Sequence, residues 1–293
     1  MTDLIRTVRY LTQQEKIRSR ALYEEMFWED EAAFVDAYYK YKGAFNRVLV
    51  LEEQGELLSM LHLNPYRFWM QGALVESSYI VAVATRPAYR HQGCMRRLLE
   101  KALEDLYGEG QPFAFLMPAK EAIYTPFGFR PMKNRDEEKF SAASMEALQK
   151  EFSLFVWKDA DYEKQRIPDM EWETTPMMVR IVNLRKLLAH IGTGTSDNVC
   201  FRIRIEDEFL PGNQGDYEWI AEEKTSRLEP VEKMGQKLKG QEGPYLKADI
   251  ADLGSFLFGA KEAAEVFLDC PLEILKKLEK IQVIRKIFIN ETV

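Results

Sequence analysis

Apolar residues mark out the elements of this chain before any chemistry is considered. Leu11, Ile17, Leu22 and Met26 recur at roughly helical spacing, and a second helix is predicted over about 31–41. Arg47 to Glu52 and Leu57 to Tyr66 read as strands joined by a Gln54-Gly55 turn, and Asn64-Pro65 and Gln71-Gly72 punctuate the next stretch of chain. Tyr79 to Thr85 is a continuous apolar strand that stops at Arg86-Pro87, because proline cannot extend a sheet ladder. The clearest helix runs from Met95 to Tyr107. Met95, Leu98, Leu99, Ala102, Leu103 and Leu106 share one face, and Arg96, Arg97, Glu100, Lys101, Glu104 and Asp105 fill the other. Gly108 and Gly110 end it, and Phe113 to Met117 is the next buried strand, closed by Pro118. Strand, helix and strand in that order predict a β-α-β crossover.

From about Arg135 to Thr175 the pattern weakens and charge rises, which predicts short helices or edge strands and a boundary near 170. The chain is therefore divided into residues 1–170, with a trailing connector from about 135, and residues 171–293. The second unit opens with a strand over Met177 to Val182 and a helix from about Asn183 to His190. Strands over Val199 to Asp207, Tyr217 to Ala221 and Leu246 to Ile250 come next, with helices over Ala251 to Phe258 and Pro271 to Lys280. The fold class is α/β in the first unit and α+β in the second.

Composition narrows the function classes. The 293 residues are 46% hydrophobic and 30% charged, a globular balance. Forty Lys and Arg against 47 Asp and Glu give a net charge of −7, which argues against a nucleic-acid partner bound through the bulk field. The apolar stretches are strand length, too short to span a bilayer, and Asp3, Arg6 and Arg9 interrupt any signal-peptide core, so a cytoplasmic protein without membrane contact is expected. Cys94, Cys200 and Cys270 are scattered, as are His62, His91 and His190, so neither a disulfide framework nor a metal site is expected.

The segment joining the apolar strand to the long helix reads Tyr89-Arg90-His91-Gln92-Gly93-Cys94-Met95-Arg96-Arg97. Backbone N–H groups at a helix start have no intrahelical partner, and the helix dipole adds positive charge there. Gly93 lets an anion approach those donors, and Arg90 and Arg96 add charge around it. The other reading is a basic strand-to-helix turn in which Gly93 serves only to reach positive φ. The segment resembles the phosphate loop of the GNAT superfamily of N-acetyltransferases: Arg or Gln, two residues, Gly, any residue, then Gly or Ala. Arg90, Gly93 and Met95 occupy those positions. Met95 departs from the usual small residue, as in the enhanced-intracellular-survival (Eis) branch. The resemblance implies a mixed sheet flanked by helices and acetyl-CoA as co-substrate. The pyrophosphate would be held by backbone N–H groups of His91, Gln92, Gly93, Cys94, Met95 and Arg96, and the pantetheine arm would lie along Val81 and Val83.

Ala122-Ile123-Tyr124-Thr125-Pro126-Phe127-Gly128-Phe129 comes after the next strand and resembles the Tyr-x-x-x-Gly-Phe motif of the same enzymes, in its Eis form. The resemblance makes Tyr124 the general acid that protonates the leaving CoA thiolate, a step suited to a phenol protonated at neutral pH. The other reading is a tyrosine packed on the sheet with its hydroxyl bonded to backbone.

The second unit resembles the sterol-carrier-like domain that closes Eis-type chains. The similarity lies in Met177 to Leu184, in Leu246 to Gly259 and in the ending Ile287-Phe288-Ile289-Asn290-Glu291-Thr292-Val293. The resemblance implies that the Val293 α-carboxylate lies in the active site and takes the proton of the incoming amine. Eis-type chains carry a second acetyltransferase-like domain between these two. Only about 45 residues separate Phe129 from Met177 here, so aminoglycoside acetylation and a hexamer are not carried over.

Four lesser candidates remain. Cys94 sits at a helix N-terminus, where a thiolate is stabilised. His62 faces a substrate cleft or is a satisfied sheet histidine. Tyr66, Phe68 and Trp69 line an acceptor pocket or pack between strands. Glu24, Glu25, Glu29, Asp30 and Glu31 form an acidic rim suited to a cationic amine or a solvated helix face. The expected activity is transfer of an acetyl group to a primary amine of a small molecule or peptide, by direct attack on the thioester, in a monomer or a homo-oligomer. The rival is a non-catalytic binding protein with a degenerate acetyltransferase fold. Phe256, Leu257, Phe258, Val266, Phe267 and Leu268 would line its apolar pocket or pack as core, and core is the reading preferred.

Overall fold

The computed structural model describes residues 6–135, 140, 143–168, 175–231 and 245–291. β1 (Arg6–Tyr10), β2 (Arg47–Glu53), β3 (Glu56–Met70) and β4 (Ala73–Thr85) form an antiparallel meander. The turns Gln54-Gly55 and Gln71-Gly72 have φ of 50°, 83°, 45° and 97°, the positive pairs that a type I′ hairpin requires. β3 runs straight through Asn64-Pro65, which the sequence marked as a break. Tyr66, Phe68 and Trp69 therefore lie within a strand rather than between strands.

α1 (Ser19–Met26) and α2 (Ala32–Tyr41) cover one face of this meander, burying Leu22, Tyr23, Val35 and Tyr38 against Met60, Tyr66 and Tyr79. The first helix is shorter than predicted, because residues 16–18 wind as a 3-10 turn. α3 (Cys94–Gly108) covers the other face. Its apolar stripe, Leu98 to Leu106, is fully buried on Leu49, Leu61, Leu63 and Ile80. β5 (Phe113–Leu116) then pairs parallel to β4, completing the expected crossover.

Next along the chain are α4 (Glu121–Tyr124), β6 (Arg130–Pro131), α5 (Met145–Glu151), β7 (Leu154–Val156) and α6 (Ala160–Gln165). β7 pairs with the far end of β3, at Phe68 to Met70. β8 (Met178–Ile181), predicted to open the second unit, instead lies in the first sheet between β5 and β6. All four of its residues are buried, so it needs cover on both faces and takes the open edge of β5.

α7 (Leu184–Leu188) leads to a second sheet of β9 (Val199–Glu206), β10 (Gly215–Ala221), β11 (Ser226–Pro230) and β12 (Tyr245–Asp249). Its order is β11-β10-β9-β12, and β12 is parallel to β9. Three helices come after it, α8 (Ile250–Leu257), α9 (Ala263–Val266) and α10 (Leu272–Leu278); the sequence pattern signalled neither β11 nor α9. Phe256, Leu257, Phe258 and Phe267, read as core or as the lining of an apolar pocket, are core, whereas Leu268 is 83% exposed. β13 (Ile287–Phe288) then returns the chain to the first sheet, parallel to β7.

The two sheets share one apolar core, in which Phe113 and Phe258 lie 5.4 Å apart edge to face. A fully buried ion pair crosses it. Arg180 bonds Asp207 at 2.6 Å and the Phe127 carbonyl at 3.0 Å, while Asp207 accepts from the N–H groups of Phe209 and Leu210. Among the described residues no helix is long and apolar enough to cross a membrane, and no group of three His, Cys, Asp or Glu side chains is placed to hold a metal ion.

Candidate active site

The site begins where two parallel strands part. β4 and β5 are paired only at Ser78 with Ala114 and Tyr79 with Phe115, after which β4 continues alone to Thr85. Ala82 has φ +50°, and the register with β3 slips between Met60 and His62, a bulge that bends the strand. Val81 and Val83 lie beyond the last pair with β5. Their backbone groups on that side are a free sheet edge, the arrangement to which an extended amide chain adds as a strand.

The 3-10 turn Pro87–Tyr89 leads from β4 into the loop before α3. Within it His91 has φ +59° and Gly93 has φ +76°. The double left-handed turn brings the N-terminal N–H groups of α3 to the surface, and no side chain caps them. A Cβ built on Gly93 would meet no atom within 4 Å, so the space in front of those donors is open. The residues present thus fit a pyrophosphate: free helix-start donors, an open approach and an exposed Arg90 beside them. Arg96 is held elsewhere, paired with Glu208 at 3.2 Å and placed over the rings of Phe127 and Phe209. Gln92 bonds the Ala88 carbonyl. Cys94 is buried with its thiol directed to the Tyr89 carbonyl, which is the place of a structural cysteine.

A cleft of ≈ 640 Å³ opens from the fork onto the α1–α2 face. Tyr79 to Val83 form one wall, Met117 to Ala119 and Tyr124 another, and Tyr23, Phe27, Phe34 and Tyr38 a third. Tyr124 ends α4, held edge to face on Phe129 by the turn at Gly128. Gly128 has φ +81°, and a Cβ there would come within 2.7 Å of Arg180 Nε. Among the described residues the Tyr124 hydroxyl has no hydrogen-bond partner, which removes the reading of a phenol spent on backbone. Burial pushes its pKa up to about 12, so it is protonated at any physiological pH.

The C-terminal tail docks beside Tyr66 of β3. Asn134 exchanges two hydrogen bonds with the backbone of Ile289, and Glu291 is fully buried. Its carboxylate accepts from the hydroxyls of Tyr66 at 3.0 Å and Tyr162 at 2.8 Å, and Lys158 lies 3.4 Å away. Lys42 donates to Tyr66, and burial lowers its pKa to about 8. Val293, expected in catalysis, lies outside the described residues.

Of the lesser candidates, His62 is fully buried in β3, where its Nδ1 bonds the Tyr38 hydroxyl at 2.9 Å and its Nε2 has no partner among the described residues. Of the acidic rim only Asp30 lines the cleft, and it accepts from Tyr23; Glu24 and Glu25 pair with Arg20 and Arg86. Tyr38, Tyr79, Tyr162 and Glu291 carry no signal in the sequence that marks them for the site. Each belongs to an ordinary apolar or polar run, and only the pairing of distant segments brings Tyr38 and Tyr79 to the cleft wall and Tyr162 and Glu291 together at the tail.

Residues 7–132 match the acetyltransferase (GNAT) domain family, and residues 184–291 match the sterol carrier protein domain family. No curated protein matches the chain. Solved structures that share its fold include these three. A conserved protein of Enterococcus faecalis V583, described as a probable N-acyltransferase, has a TM-score of 0.77 at 15% identity, covering 99% of this chain and 100% of that one. A GCN5-related N-acetyltransferase from Kribbella flavida has 0.71 at 14%, covering 98% and 99%. Eis1 from Mycobacterium abscessus has 0.67 at 14%, covering 99% and 100%. Between the two matched regions the structure describes α5, β7, α6 and β8. The fork, the loop before α3 and the docked tail thus belong to a chain that joins an acetyltransferase domain of the GNAT superfamily to a sterol carrier protein domain.

Proposed function

We propose that the protein is an acetyl-CoA-dependent N-acetyltransferase that acetylates a primary amine by direct transfer. The observation that carries this reading is that the open strand edge at Val81 and Val83 and the unpartnered phenol of Tyr124 share one cleft, and that the same strand leads on into the uncapped α3 start behind Gly93. The backbone N–H groups from His91 to Arg96 bind the pyrophosphate, with Arg90 adding charge, and Val81 and Val83 bond the pantetheine amides. The acceptor nitrogen attacks the thioester carbonyl carbon, the C–S bond breaks with its electron pair on sulfur, and Tyr124 protonates that sulfur. The proton of the incoming ammonium goes to the Val293 carboxylate, directly or through water. A division of the chain near residue 170, with β8 lying in the first sheet, and a cytoplasmic location belong to the same proposal. The rival reading is a non-catalytic binding protein; of the six residues assigned to its apolar pocket, Phe256, Leu257, Phe258 and Phe267 are packed as core and Leu268 is exposed.

Calorimetric titration with acetyl-CoA tests the reading. Saturable binding is expected, and Gly93→Val should abolish it. The substitution forces a β-branched residue to positive φ and fills the space in front of the helix start. Absence of binding by the wild-type chain at millimolar acetyl-CoA would make the loop a structural turn and end the proposal.

A further inference from the structure

The lining of the cleft selects the kind of amine it accepts, an inference that rests on the acetyltransferase reading. Its mouth is aromatic: Tyr23 and Phe27 lie 4.8 Å apart, and Tyr23 stacks on Tyr38 at 5.6 Å. Among the described residues its lining includes one carboxylate, Asp30, already bonded by the Tyr23 hydroxyl, and no Lys, Arg or His. A body carrying several positive charges would lose hydration there without gaining counter-charges, whereas a flat apolar body would be well matched.

At the base stands Tyr79. Its ring is fixed at the vertex of the fork, stacked on Phe115 at 4.7 Å and 14°, and it is 1% exposed. Its hydroxyl has no partner among the described residues, and neither has the Nδ2 of Asn64, its cross-strand neighbour. A buried phenol left unpaired costs free energy, and the cost is recovered when a ligand supplies the partner. Tyr79 belongs to the core cluster under α1 and α2, the face from which the acceptor enters. Burial, with the Glu291 carboxylate adding to it, raises its pKa, so the group stays neutral and bonds an amine without a competing charge.

We propose that the acceptor is a primary monoamine carried on an aromatic or similarly flat apolar group, and that the Tyr79 hydroxyl holds its nitrogen. The test measures thiol release from acetyl-CoA with 2-phenylethylamine and with spermidine, in the wild-type chain and in Tyr79→Phe. The kcat/KM for 2-phenylethylamine should exceed that for spermidine at least ~tenfold, and Tyr79→Phe should lower it about tenfold through acceptor KM. Acetyl-CoA affinity should be unchanged, and the ligand-free variant should melt no lower than wild type, since an unsatisfied hydroxyl has been removed. Spermidine used as well or better overturns the acceptor class, as does no turnover of 2-phenylethylamine by a chain that binds acetyl-CoA. An unchanged KM or a lower melting temperature in Tyr79→Phe overturns the role of the hydroxyl. Failure of the wild-type chain to bind acetyl-CoA overturns the parent reading instead.

Discussion

Tyr66 and Glu291 stand 225 residues apart in the sequence, yet the phenol donates to the carboxylate at 3.0 Å in a fully buried place. The tail of the sterol carrier domain is thus bolted into the acetyltransferase sheet. Tyr162 donates to the second carboxylate oxygen, and Lys158 supplies the counter-charge.

Removing that anchor should cost stability. Glu291→Ala leaves two phenols without their acceptor and the Lys158 ammonium without this counter-charge, and a loss of about 3 kcal/mol is expected from urea denaturation. Glu291→Gln, which keeps an oxygen acceptor, should lose less. Equal stability of Glu291→Ala and wild type would show that the tail is not held by this carboxylate.

Tyr124→Phe should lower kcat at least ~tenfold while leaving the acetyl-CoA Kd unchanged, because a general acid acts on the leaving group and not on cofactor binding. With the pKa of Tyr124 pushed up to about 12, no loss of rate between pH ~8 and ~10 should be traceable to its ionisation. An unchanged kcat in the variant removes it from the mechanism.

Extending the chain beyond Val293 should reduce turnover if its α-carboxylate receives the amine proton, with acetyl-CoA binding intact. Full activity with appended residues would exclude that carboxylate.

His62 makes stability depend on acid. Burial depresses its pKa to about 3 from the ordinary 6.5, so the unfolded chain binds a proton in that window that the folded chain refuses. The stability contributed by the neutral ring is fully present above pH 6.5 and is lost as pH falls towards 3, at roughly 1 kcal/mol per pH unit. Urea midpoints of wild type and His62→Gln should converge on acidification. Parallel curves would count against the assignment.

Asp207→Ala should destabilise by about 3–5 kcal/mol, since it leaves the Arg180 guanidinium buried without a counter-charge and strips two backbone N–H groups of their acceptor. Because Arg180 also holds the Phe127 carbonyl beside the Tyr124 turn, the loss should appear in kcat as well. A stable variant with wild-type kcat would disconnect this pair from the site.

The sequence by itself determined the local elements. A 3.6-residue apolar period specified α3, continuous apolar runs specified the ends of β4 and β5, and Gln54-Gly55 specified a turn, because each depends on neighbours a few residues away. The left-handed turn at Gly93 and the start of α3 were legible for the same reason, whereas Tyr124 was singled out by its resemblance to a family motif. Which strand pairs with which was decided only by the tertiary structure. β8 could not be told from the opening strand of the second unit, since an all-buried tetrad fits any open, covered edge, and only the vacancy beside β5 selects one. Nor could Asn64-Pro65 be read as mid-strand until the neighbouring ladders were in place. The acceptor cleft is the extreme case. Tyr38 and Tyr79 on its wall, like Tyr162 and Glu291 at the tail anchor, acquire meaning from burial and unpaired or shared hydrogen bonds, which arise only when segments far apart in sequence exclude water together.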